Sequence, residues 1–101
     1  VVRFHLERLG GQTWLEQPAC TIIRHGNLLV GFCRADPAQT DGLVTLFSDD
    51  RADVEELYRR LGDVATSELR YNEIYGIFHF YGSDPEGRAF EVQCFDERPE
   101  L

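Results

Sequence analysis

The feature that most constrains this chain is an internal echo. Laying its first residues on the segment that begins at Val54 places Val2 on Val54, His5 on Leu57 and Leu6 on Tyr58, and Arg8-Leu9-Gly10 on Arg60-Leu61-Gly62. The matched positions are those that make the buried face of a helix and its glycine stop. In the second copy, Val54, Leu57, Tyr58 and Leu61 follow i, i+3, i+4, i+7 spacing and predict a helix over 50–61. Asp49 or Asp50 is expected to cap it, with Asp53 adding negative charge to the first turn. Glu55–Arg59 and Glu56–Arg60 have the spacing of ion pairs on the outer face, and Gly62 is the expected end.

Strand signals follow each helix. The β-rich runs 19–25 and 28–34 flank Gly26-Asn27, a two-residue hairpin turn, and Asp36-Pro37 breaks the second run. Residues 42–48 make a short strand feeding the helix, and 66–71, 74–81 and 89–95 follow it. From residue 41 onward the order is strand, helix, strand, strand, strand. The first half repeats this pattern without its opening strand. The expected class is therefore α+β, with two βαβββ modules at 1–40 (incomplete) and 41–101. Halves of about 50 residues are too small to be stable alone, so the chain is read as one domain, 1–101.

Charge narrows the function classes. Ten basic residues against eighteen acidic ones give −8, and no local Lys/Arg cluster offsets it, which argues against nucleic acid. That sign suits a cationic small molecule, although solubility alone accounts for it. No apolar run approaches the roughly 18–20 residues of a membrane span, and no signal peptide is visible. Without an initiating Met, the N-terminus is expected to be processed or trimmed. Cys20, Cys33 and Cys94 form no C-x-x-C pair and lie in apolar, strand-like runs. They are expected to behave as small buried hydrophobes in a reducing cytoplasm.

Strand parity predicts the site. Pro85 and Gly87 suit Asp84-Pro85-Glu86-Gly87 to a tight reversal. Beyond it, alternation puts Glu91, Gln93 and Phe95 on one face and the wholly apolar Phe90, Val92 and Cys94 on the other, toward the helices. His79 and Tyr81 are expected beside Glu91, with Phe78 and Phe80 packed underneath. A one-residue slip would bury an unpaired Glu91 carboxylate at a cost of several kcal/mol, so the register is well specified. Leu43 and Phe47 are expected to form an apolar wall nearby, and Trp14 is a further aromatic candidate.

Two segments carry a family resemblance. Arg3-Phe4-His5-Leu6-Glu7-Arg8-Leu9-Gly10 looks like the first helix of the vicinal oxygen chelate superfamily of glyoxalases, bleomycin-resistance proteins and extradiol dioxygenases. Asp84-Pro85-Glu86-Gly87-Arg88-Ala89-Phe90-Glu91 resembles its closing D-P-(D/E)-G hairpin. The longer run from His79 through Gln93 is similar to an uncharacterised bacterial or archaeal branch. The resemblance spans essentially the whole chain and implies a cupped mixed sheet. It also implies that Glu91 aligns with one of three divalent-metal ligands, the others coming from the first strand of each module. Such ligands suit Zn, Mn, Ni or Fe. The chain departs from that pattern: Leu43 occupies one ligand position, nothing in 42–47 can bind metal, and the remaining ligand would lie on the missing strand. His79 could join Glu91 as a ligand, but Leu43 favours a metal-free His–Glu pair lining a polar pocket. His5 is read as a half-buried packing residue and His25 as solvated. No nucleotide-binding glycine loop or Ser/His/Asp arrangement is evident.

The resemblance, with the broken ligand pattern and the acidic balance, therefore implies a small-molecule binding or sequestration protein, expected to be a homodimer with no cofactor, and the cysteine usage implies a cytoplasmic location. Its ligand would sit in the cup among Glu91, His79, Tyr81, Gln93, Leu43, Phe47 and Trp14. Metal-free bleomycin-resistance proteins, acidic dimers that bind a cationic aromatic drug, provide the parallel. The alternative is a divalent-metal-dependent lyase, epimerase or dioxygenase with Glu91 and His79 as ligands.

Overall fold

The computed structural model describes residues 1–96. Two compact units emerge, Val1–Thr40 and Asp41–Leu101. The first contains α1 (Val2–Glu7), β1 (Gln12–Glu16), β2 (Cys20–His25) and β3 (Leu28–Cys33). The second contains β4 (Leu43–Ser48), α2 (Arg51–Arg60), β5 (Arg70–Asn72), β6 (Ile77–Ser83) and β7 (Ala89–Phe95). The first sheet has the order β1-β2-β3 and the second β4-β7-β6-β5. All neighbours are antiparallel except β4 and β7, which run parallel. The fold is thus α+β, with a βαβββ second unit and an αβββ first unit among the described residues.

The strongest local signal produces α2. The Asp50 side chain accepts the Ala52 N–H at 2.9 Å, and Asp53 lies in the first turn. Val54 and Leu61 are completely buried. Two details differ from expectation. Arg59 pairs with Glu56, one turn back at i,i+3, rather than with Glu55. The helix also closes without a left-handed glycine at Gly62: the Leu61 N–H donates to the Leu57 carbonyl at 2.8 Å. Only in the first unit does the matching glycine, Gly10, take a positive φ, of 73°.

Parity along β6 and β7 separates the faces as their sequences require. Phe80, Phe90, Val92 and Cys94 are buried. Tyr58 of α2 meets Phe80 edge-on at 5.2 Å, and the Arg51 guanidinium lies 4.5 Å from the centre of the Phe78 ring. The helix therefore covers the face that carries Phe78 and Phe80. Gly82 lies opposite Phe90, whose ring occupies the space a side chain would need; a Cβ there would approach within 2.3 Å.

Turns set the strand limits. Gly26 has φ 60° and Asn27 does not share the positive region, so the β2–β3 turn is a primed turn with glycine first. The Asp84 carboxylate accepts the Glu86 and Arg88 N–H groups, both at 2.9 Å, and Gly87 has φ 93°. The strand expected over 66–71 contracts to β5, Arg70–Asn72. The reason is that the Ser67 hydroxyl accepts the Tyr81 N–H at 2.9 Å, in place of a backbone carbonyl, so regular pairing is interrupted there. The strand expected from residue 74 begins at Ile77 instead. Asn72 Oδ1 accepts the Ile74 and Tyr75 N–H groups, and Gly76 turns the chain at φ 63°.

Three expectations in the first unit are overturned. Cys20 and Cys33 are direct cross-strand partners and are joined as a disulfide; Cys33 is exposed, and only Cys94 is a buried free thiol. A two-residue hairpin turn brings opposite positions together, a relation hidden from spacing rules such as C-x-x-C. His5 is buried, at 4% exposure, rather than half-buried. Its Nδ1 lies 2.8 Å from Nε2 of His25, which is half-buried and not solvated. Close backbone packing encloses the pair: a Cβ on Gly11 would approach the His25 ring to 2.7 Å.

Candidate functional site

The face of the second sheet turned away from α2 carries the candidate residues in ordered rows. Register aligns Thr45 with Glu91 and Glu91 with Tyr81. The next row runs Phe47, Gln93, His79 and Arg70 across β4, β7, β6 and β5. Leu43 pairs with Ala89 in the row on the other side of Thr45, Glu91 and Tyr81. Cross-strand partners project to the same side, so all these side chains share one face.

Glu91 and His79 form its buried centre, at 7% and 6% exposure. His79 Nδ1 lies 2.9 Å from Glu91 Oε2, and the Thr45 hydroxyl donates to Glu91 Oε1 at 3.0 Å. A carboxylate only accepts hydrogen bonds, so the Nδ1 proton of His79 belongs in the first contact and Nε2 is left for another partner. Tyr81 meets the His79 ring edge-on at 5.2 Å. Gln93 and Tyr81 are half-buried, whereas Leu43 and Phe47 are exposed apolar surfaces. Arg70 is exposed, and its side chain makes no hydrogen bond or ion pair among the described residues.

Six of the seven sequence-derived site residues, Glu91, His79, Tyr81, Gln93, Leu43 and Phe47, are thus brought to one face. Trp14 belongs to the first unit, where it sits exposed at the irregularity in the β1–β2 register. Sequence reasoning missed Thr45 and Arg70. Thr45 shares the parity of Leu43 and Phe47, a signal present in β4, but its alignment with Glu91 depends on the parallel β4–β7 register. Arg70 becomes a neighbour of His79 only once the short β5 is paired.

The donor set does not fit the three-ligand metal centre that the family resemblance implies. Both Glu91 carboxylate oxygens already accept hydrogen bonds, Leu43 is apolar, and no group of three metal-binding side chains converges among the described residues. A mixed wall of this kind, with two apolar side chains around a few convergent polar groups, is chemically suited to hold a small organic molecule.

No family model matches the sequence, and no curated protein matches it. Solved structures do match the fold. An integron cassette protein from the mobile metagenome of the Halifax Harbour sewage outfall superposes with a TM-score of 0.80 at 17% identity, over 93% of this chain and 85% of that one. A lactoylglutathione lyase from Agrobacterium tumefaciens gives 0.74 at 20% identity, over 91% and 80%. A glyoxalase-related enzyme from Fulvimarina pelagi gives 0.79 at 16% identity, over 99% and 81%. No described helix is long and apolar enough to cross a membrane. The chain shares its fold with these solved structures, among them proteins described as glyoxalase/bleomycin resistance/dioxygenase family members.

Proposed function

We propose that this chain is a small-molecule binding or sequestration protein that holds its ligand on the Glu91 face of the second unit without a metal or other cofactor. One observation carries the reading. Thr45 and His79 occupy the two carboxylate oxygens of Glu91, so the buried charge is satisfied by the protein itself. Protein purified without chelator or a His tag should contain almost no divalent metal. Glu91→Ala should weaken binding of a neutral aromatic probe, 3-phenylpropanol, and leave that metal content near zero. Stoichiometric metal, lost in Glu91→Ala, would overturn the metal-free reading.

That same outcome would support a second reading, a divalent-metal-dependent lyase, epimerase or dioxygenase. The specific observation in its favour is the 2.9 Å approach of His79 to Glu91, which brings two family-type ligands together. The chain is further proposed to form a homodimer, since small domains gain buried area by pairing. Sedimentation at micromolar concentration should give twice the chain mass. A cytoplasmic location would place Cys20 and Cys33 among reducing thiols, so there the pair would stand as a dithiol.

A further inference from the structure

We propose that Arg70 and Gln93, on either side of His79, form an anion subsite on this face, which takes the carboxylate or phosphate group of a small organic acid whose apolar part lies on Phe47. The inference rests on the reading of the Glu91 face as the ligand site and assigns the chemical class of that ligand. The three polar residues stand in one row across β5, β6 and β7, with Phe47 at the other end of the same row.

Each group in the row has bonding capacity to spare. Arg70 is exposed on β5, and its guanidinium has no hydrogen-bond or ion-pair partner among the described residues. The side-chain amide of Gln93 has no protein partner there either. His79 is bound to Glu91 through Nδ1, which directs Nε2 away from that bond. A guanidinium is a planar fork that matches the two oxygens of an oxyanion, and the neighbouring Gln93 amide N–H can add a donor. The net charge of −8 sets the general field against anions, so recognition has to come from this local cation. Three strand spacings separate Phe47 from Arg70, about 14 Å between backbones. Side chains reaching inward from both ends leave room for an aromatic acid with a short arm.

The test compares probes by chemical-shift titration of the full chain, following Leu43, Phe47, His79 and Tyr81 signals. The probes are 3-phenylpropionate, phenyl phosphate, neutral 3-phenylpropanol and cationic 3-phenylpropylammonium. At least one anion should bind about tenfold or more tightly than 3-phenylpropanol, and the better of the two identifies carboxylate or phosphate as the group recognised. Arg70→Gln, at an exposed position, should lower the affinity for the preferred anion about tenfold or more relative to that for 3-phenylpropanol, and Arg70→Lys should keep part of the preference. Anions binding no better than 3-phenylpropanol, or an unchanged preference in Arg70→Gln, would overturn the subsite and leave the binding face standing. If no probe moves signals on this face, the subsite and the site reading beneath it both fail.

Discussion

His79 and Glu91 meet on a diagonal. The register pairs His79 with Gln93 and Tyr81 with Glu91, yet the 2.9 Å hydrogen bond runs between His79 and Glu91. Long side chains on one face of an antiparallel pair can reach a diagonal neighbour, and here the contact leaves Gln93 without a partner in its own row. Thr45 then holds the second oxygen of Glu91 from the parallel side. One carboxylate is therefore fixed by three strands.

Thr45→Val should test that arrangement with little change of shape. It removes the hydroxyl that donates to Glu91 Oε1. Loss of a hydrogen bond to a buried charged group costs about 1–3 kcal/mol, so the urea midpoint should fall without a change in slope. Thr45→Ser keeps the donor and should recover most of the loss. Equal midpoints for wild type and Thr45→Val would show that this bond contributes nothing to stability.

Gly82→Ala should be among the more damaging single-methyl changes in the second sheet. The added Cβ would lie 2.3 Å from the Phe90 ring, and Phe90 is itself only 3% exposed. Overpacking of this kind costs about 1–3 kcal/mol. In a Phe90→Leu background the same change should cost clearly less, since the two positions are coupled by contact. Thermal unfolding of the four proteins measures the coupling.

The disulfide can be counted chemically. Denatured without reductant, the chain should take up one equivalent of iodoacetamide, at Cys94; after reduction it should take up three. Closure of a loop with a sequence separation of 13 should contribute roughly 3 kcal/mol, so the reduced protein should melt at lower temperature. Three labels on the unreduced chain would show that the bridge is not formed.

His25 should give stability a pH dependence in the mildly acidic range. Burial lowers its pKa below the usual 6.5, so the folded chain favours the neutral ring more than the unfolded chain does. The resulting stabilisation is fully present above 6.5 and is lost as the pH falls through the lower folded value. Denaturant midpoints measured from pH 8 down to about pH 5 should decline below 6.5, and the decline should flatten in His25→Gln. An identical decline in the variant would assign the effect to other groups.

Local sequence determined the elements and their inner faces. The Val54 to Leu61 spacing specified α2 because one helical stripe has to be buried. The alternation from Phe90 to Phe95 specified which side of β7 carries Glu91 because successive strand residues point to opposite faces. Asp84-Pro85-Glu86-Gly87 specified the reversal before it through backbone dihedrals that neighbours cannot override. Those patterns sufficed to gather Glu91, His79, Tyr81, Gln93, Leu43 and Phe47 on one face. Only the tertiary structure decided who touches whom. Thr45 reaches Glu91, Arg70 stands beside His79, Cys20 bonds Cys33 and His5 meets His25 because of strand register and helix packing, which depend on residues far apart in the chain. Parity assigns a side chain to a face, but its neighbour across the gap is chosen by long-range pairing, and no local pattern encodes that distance.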